Sequence, residues 1–355
     1  MSDRLEARLL LAVLREDWSA AERLAASRPP DPGVFVRLCR RCDVHPSVHA
    51  ALARAGKLSL VGERAAEELA EARRKCRLDN LLLLARVETA LDALRAAGIV
   101  PVVLKGLDVL HRFGVGFDER TLDDADLLVA PADFPRALET LEAAGWSGPD
   151  EPERTHWLRS SHEMPLKSPG PVEVAFELHW DLGQEKRYRI PVNEVLARAV
   201  PLRVAGREAL RLENHDAAAH LLLHHLQHYF DRRLKWAPDL GRIAAEPGFR
   251  WDVVASRLAH WGGLAAAGLS RLHLDRLFPG LLPEEAARAL PAAAWRRLAI
   301  LPLRSSHPLD LVRGSRRRIV QLWLAAAAFE RPGALPAYLL HRGSRDRRAS
   351  RGGDR

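Results

Sequence analysis

Three acids fall within four positions, Asp123, Asp124 and Asp126, at the head of an apolar run that reads DDADLLVAP. In an extended strand side chains two apart share a face, so Asp124 and Asp126 turn both carboxylates one way, while Ala125 and Leu127 turn the other. Carboxylates this close repel each other and raise each other's pKa unless a cation lies between them. A third acid, Glu177, sits in the apolar run VEVAFELHW, where an unpaired carboxylate is costly. Brought next to Asp124 and Asp126 on a neighbouring strand, it completes a site for two Mg²⁺ ions with open positions for phosphate, suited to in-line displacement at phosphorus. Each piece also has a plainer reading: Asp-x-Asp as a turn or solvated strand end, and Glu177 as the partner of an arginine. Asp123, on the opposite face, is read as a neighbour facing solvent. His179 shares a strand face with Glu177, where it either positions that acid or is a satisfied core histidine. Arg120, just upstream, either clamps phosphate or substrate or forms an ion pair that holds its loop.

His220, His224 and His228 recur every four residues and line one helix face, drifting by about 40° per step. That spacing suits zinc, a polar seam between helices, or contact with a substrate. The run Cys39-x-x-Cys42-x-x-His45-x-x-x-His49 has formal zinc spacing but lacks the long spacer that lets two elements converge, so buried helix cysteines are the preferred reading.

These groups need elements to hold them. Residues 1–95 read as an N-terminal helical region, rich in Ala, Leu, Glu and Arg at helical spacing. Residues 96–210 read as an α/β core: a strand in IVPVVLKG, a second in DADLLVAP, a helix from Asp133 to Gly145, and a hairpin turning at Ser168–Pro171. A linking segment follows, with a short strand pair around Gly206. Residues 211–340 read as a C-terminal helical bundle, and 341–355 as a disordered basic tail. The fold class expected is α+β, a small mixed β-sheet flanked by helical regions.

The chain has 355 residues and a formal charge of +8, but its basic excess is local. The tail 341–355 carries six arginines against two aspartates, and RGSRRR at 313–318 adds four. Without these the body is near neutral, which disfavours nucleic acid as the partner. A membrane partner is excluded in the same way, since no apolar run reaches the roughly eighteen residues a span requires. The first residues carry acids where a signal peptide has a basic start, and three cysteines build no disulfide framework. The expected location is cytoplasmic.

The order strand, Lys-Gly, helix, Arg, Asp-x-Asp strand, helix, hairpin, third acid resembles the DNA polymerase β-like nucleotidyltransferase superfamily. Within it, VVLKG, RTLDDADLLV, FELHW and HHLQHYFDRRLKWAPDL resemble a bacterial group of nucleotidyltransferase family proteins, over roughly residues 80–265. The resemblance implies that Asp124, Asp126 and Glu177 are the catalytic and Mg²⁺-binding acids. It implies that an NTP is co-substrate, with ATP among the candidates, and that Gly106 opens a helix whose amides receive the nucleotide phosphates. Leu107 stands where the superfamily usually has serine, and Lys105 compensates by offering charge to the triphosphate. Arg120 joins Lys105 and Gly106 as a cofactor-binding residue. The resemblance further places His179, His224, His228, Lys235 and Asp239 on the substrate side, with the histidine helix covering the cleft. The function so implied is metal-dependent transfer of a nucleoside monophosphate to an acceptor, a small molecule, peptide or protein. The alternative is an inactive nucleotide-binding or regulatory module of the same fold. A third reading, in which the basic tail binds nucleic acid, rests on residues 341–355 alone.

Overall fold

The computed structural model of the chain describes residues 3–183, 187–228, 233–298, 324 and 326–328. The expected basic tail, the RGSRRR run and the end of the 211–340 region lie outside these residues.

The chain opens with helices α1 (Asp3–Leu14), α2 (Trp18–Ser27), α3 (Pro32–Arg41) and α4 (His45–Arg54). Asp17 and Asp31 cap α2 and α3 by accepting from the Ala20 and Val34 amides, and Pro46 fits the first turn of α4, where no intrahelical amide is needed. Helix α5 (Glu63–Ala96) then runs for 34 residues, about 50 Å. Its sequence has no glycine or proline to break it, and it stops where Gly98, at φ 73°, lets the Ile99 amide reach back to the Leu94 carbonyl.

The αβ part follows: β1 (Val102–Val103), α6 (Lys105–Phe113), β2 (Ala125–Leu128), α7 (Phe134–Ala143), α8 (Glu153–Ser160), β3 (Glu163–Lys167), β4 (Ala175–His179), α9 (Val192–Ala197), β5 (Val200–Val204) and β6 (Arg207–Arg211). The strands form one mixed six-stranded sheet in the order β3-β4-β2-β1-β6-β5. β2 is parallel to β4, with Asp126 opposite Glu177, and β3 is antiparallel to β4, with Glu163 opposite His179. β5 and β6 turn through Ala205 and Gly206, both at positive φ, as the two-residue hairpin requires. This pair does more than link: β6 lies parallel to β1 and extends the main sheet.

Helices α10 (Asn214–Gln227), α11 (Trp236–Ala244), α12 (Trp251–Trp261), α13 (Leu264–Leu277), α14 (Glu284–Ala289) and α15 (Ala294–Leu298) follow the sheet. Strand alternation divides the core in two. Val103, Ala125 and Leu127 face a cluster with the second half of α5 and α7, while Val102 and Leu128 face a larger one. That larger cluster joins residues of α1, α3 and α4 to residues of α10, α12 and α13, so the two helical regions share a single core. Asp126 and Leu128, two apart, share a strand face, and the acids therefore look toward the helices rather than toward α7.

Candidate active site

The local sequence of β2 and β4 brings the acids together. Parallel pairing sets Asp126 beside Glu177 and Leu128 beside His179, and the antiparallel step to β3 sets Glu163 beside His179. Four polar side chains thus form a patch on one face of an otherwise apolar sheet. His179 is its centre: Nε2 lies 3.0 Å from Asp126 Oδ1 and 3.5 Å from Glu177 Oε2, and Nδ1 lies 3.5 Å from Glu163 Oε2. His162 Nε2 meets the same Glu163 oxygen at 3.2 Å.

Lys105 enters this patch from the start of α6. Its backbone takes φ 52°, left-handed for a residue with a side chain, at a cost of about 1–2 kcal/mol. Its Nζ lies 2.6 Å from Asp126 Oδ1 and 3.8 Å from Glu177 Oε2. Lys105 is expected to serve the triphosphate; in the structure its ammonium lies on the acids.

The electrostatics follow from burial and these contacts. Burial opposes the charge on Asp126, but Lys105 and the His179 hydrogen bond outweigh it and hold the carboxyl well below its usual range. Burial likewise opposes charge on His179, yet its bonds to Asp126 and Glu177 push it up to about 9, so the ring is an imidazolium at neutral pH. Among the described residues, Asp124 has no such cationic contact. Burial first, then Asp126 and Glu177, push it up to about 7. Glu177 is raised by burial and by the acids around it, against the His179 bond.

A cleft of about 660 Å³, its open mouth included, lies over the patch. Lys105, Gly106, Asp124, Asp126, Glu163 and Glu177 line the sheet side; His220, His224 and His228 line the other, from α10 and its C-terminus. Both His220 and His224 are buried enough that desolvation, reinforced by Lys105, holds them neutral. The edge of His224 packs on Trp236, ring centroids 4.6 Å apart. The α6 N-terminus opens on the cleft, and Leu104 at its cap supplies no side-chain acceptor to its free amides.

Gly106 has a role that sequence alone did not suggest. A Cβ there would lie 2.1 Å from the Arg120 guanidinium and 2.5 Å from Leu122 Cδ2, so its missing side chain lets the loop before β2 pack against α6. Arg120 gives Nε and one terminal nitrogen to Asp239 at 2.9 and 2.7 Å and a second terminal nitrogen to the Thr121 carbonyl. The ion pair of Arg120 is present, and the same guanidinium side chain also lines the cleft. The placement of Asp239 on the substrate side is corrected by the same contact: it is 1% exposed beneath the cleft, its carboxylate taken up by Arg120. Lys235 lines the cleft, but its ammonium is bound to Asp43, Asp123 and Thr121. Asp123 is exposed as expected and also receives Arg233 at 2.9 Å. Cys39 and Cys42 are both buried in the helical core.

Sequence reasoning passed over Glu163 and His162, whose only signal is the register of β3 against β4. It also passed over Asn80. From α5, this buried amide donates to the Phe117 and Arg120 carbonyls, both at 2.7 Å, and accepts from the Leu122 amide at 3.1 Å, pinning the loop that leads into Asp124.

Among the described residues, ligand atoms of Asp126, Glu177 and His179 lie within 4.8 Å of one another, as do those of His162, Glu163 and His179. Asp124 lines the same cleft but belongs to neither trio. Carboxylate oxygens dominate the cleft floor, the donor set that Mg²⁺ prefers over softer ions. Residues 28–279 match the model of a family described as an uncharacterised nucleotidyltransferase. The chain belongs to this nucleotidyltransferase family. The match spans α3 to α5, the whole sheet and the α10 helix over the cleft, so every residue of the nucleotidyltransferase cleft described above falls within it. Among solved structures, an antigenic nucleotidyltransferase-like protein from Paracoccidioides brasiliensis is similar at 12% identity and TM-score 0.36, over 61% of this chain and 95% of that one. No curated protein matches. No helix among the described residues is long and apolar enough to cross a membrane.

Proposed function

We propose that this nucleotidyltransferase moves a nucleoside monophosphate from an NTP to an acceptor oxygen, using Asp124, Asp126 and Glu177 with Mg²⁺. The single observation that carries the reading is the pairing of Asp126 with Glu177 across parallel strands beneath a cleft bounded by an uncapped helix N-terminus. The free amides of α6 receive the nucleotide phosphates, as helix N-termini do. Asp124, Asp126 and Glu177 would hold the metal, which when bound would neutralise charge on the phosphates. Glu177, raised by burial, takes the proton of the acceptor hydroxyl as its oxygen bonds to the α-phosphorus and pyrophosphate leaves. Neutral His220 and His224 offer hydrogen bonds to the acceptor without adding positive charge beside Lys105. We place the protein in the cytoplasm, with an NTP and a small molecule, peptide or protein acceptor as its partners.

One observation favours a second reading, a nucleotide-binding module without the chemistry. Leu107, where the superfamily usually has serine, is 1% exposed in the core beside α5, so no hydroxyl follows Gly106. Incubation with α-³²P-labelled NTPs, Mg²⁺ and fractionated small molecules and proteins separates the two. Transfer requires that label move to an acceptor in a manner abolished by Asp126→Asn. Equal labelling by Asp126→Asn would refute the mechanism, and nucleotide binding without label transfer would favour the module.

A further inference from the structure

The three acids read from the sequence as a site for two Mg²⁺ ions, yet one cation position in this patch already has an occupant. Lys105 Nζ stands between Asp126 and Glu177, the two acids that β2 and β4 place side by side. Its side chain is 11% exposed, unusual for a residue that normally reaches into water. The placement is not a loose side chain settling on the nearest acid, because the backbone at Lys105 adopts φ 52° to deliver it. The same Asp126 oxygen also meets His179 Nε2 at 3.0 Å, so Oδ1 has two nitrogen partners before any metal arrives.

Resting on the reading above, we propose that Lys105 is a built-in cation that replaces one of the two metal ions, so that the site takes a single divalent ion per chain. Asp124, the free oxygen of Asp126 and Glu177 would hold that ion, while the ammonium stays between Asp126 and Glu177 as a fixed charge that needs no recruitment from solution.

The test is Mn²⁺ titration of the full-length protein with the non-hydrolysable α,β-methylene ATP, read by calorimetric stoichiometry and by electron paramagnetic resonance. A lone Mn²⁺ gives a six-line spectrum, whereas a pair about 4 Å apart gives a spin-coupled one. The expected result is one Mn²⁺ and six lines for the wild type, and two Mn²⁺ with a coupled spectrum for Lys105→Met and Lys105→Ala. Two ions in the wild type would overturn the proposal, because the ammonium would then have been displaced. One ion in both wild type and folded variants would overturn it too, since the lysine would not be what excludes the second. No Mn²⁺ in the wild type would instead overturn the metal site and with it the proposed function. A wild-type count of two refutes the proposal even if neither variant folds.

Discussion

Substituting Asp239 tests whether Arg120 supports the acidic loop or serves a ligand. The two side chains are 6% and 1% exposed and joined through two guanidinium nitrogens, 119 positions apart in the chain. Asp239→Ala leaves a guanidinium charge buried without its partner, a change that costs about 3–5 kcal/mol. In urea the unfolding midpoint should fall by about 1 M for a chain of this size. Removing both charges together, as Arg120→Met with Asp239→Leu, should recover most of that loss, because no uncompensated charge remains. The double-mutant cycle then returns a coupling energy that belongs to the pair. If Arg120 acts only on its loop, this double variant should bind Mn²⁺ within about threefold of wild type, under 1 kcal/mol. A loss below about 1 kcal/mol in Asp239→Ala would show that the pair is not holding the structure. A stable double variant that no longer binds nucleotide would show that Arg120 does serve the ligand.

Gly106→Ala should lower stability by about 1–3 kcal/mol through overpacking against Arg120 and Leu122, seen as a lower Tm; an unchanged Tm would mean that the loop gives way freely. Asn80→Ala removes a partner from three backbone groups, leaving the Phe117 carbonyl only the Cys76 thiol, and should cost about 2–4 kcal/mol, with faster amide exchange at Leu122; unchanged exchange there would contradict the role given to Asn80. Because Asp124 is pushed up to about 7 and must lose its proton to bind a cation, Mn²⁺ affinity should fall about tenfold from pH 8 to pH 6. A flat profile would place the ion away from Asp124. His179, raised to about 9 from an ordinary 6.5, stabilises the fold fully below pH 6.5 and less as pH rises through 9. His179→Gln should therefore flatten the alkaline side of the stability curve between those limits, and a curve parallel to wild type would argue against the imidazolium.

What could be read before the fold was known follows from the range of each interaction. Asp124, Asp126, Glu177 and His179 stand out because strand alternation and apolar flanks act over a few residues. The helices of residues 3–96 and the β5–β6 turn at Gly206 announce themselves through equally local spacing. Sheet order does not, since nothing near Arg207–Arg211 in sequence indicates that it lies beside Val102. Glu163 depends on a register set between β3 and β4, and Asn80 on a loop some forty positions away. Lys105 was visible as a cation but not as an occupant of the acidic patch, because its direction comes from a left-handed backbone that no neighbouring residue type demands. Asp239 was misplaced for a similar reason: a polar residue on a helix near the cleft looks the same in sequence whether it faces inward or outward.

The central claim is that Asp124 and Asp126 hold a metal through which an NTP binds. Calorimetric titration of the wild type with each NTP, with and without Mg²⁺, beside the Asp124→Asn, Asp126→Asn double variant, tests it most directly. The account predicts binding that needs both the metal and the two aspartates. Binding of equal strength without Mg²⁺, or undiminished in the folded double variant, would contradict it.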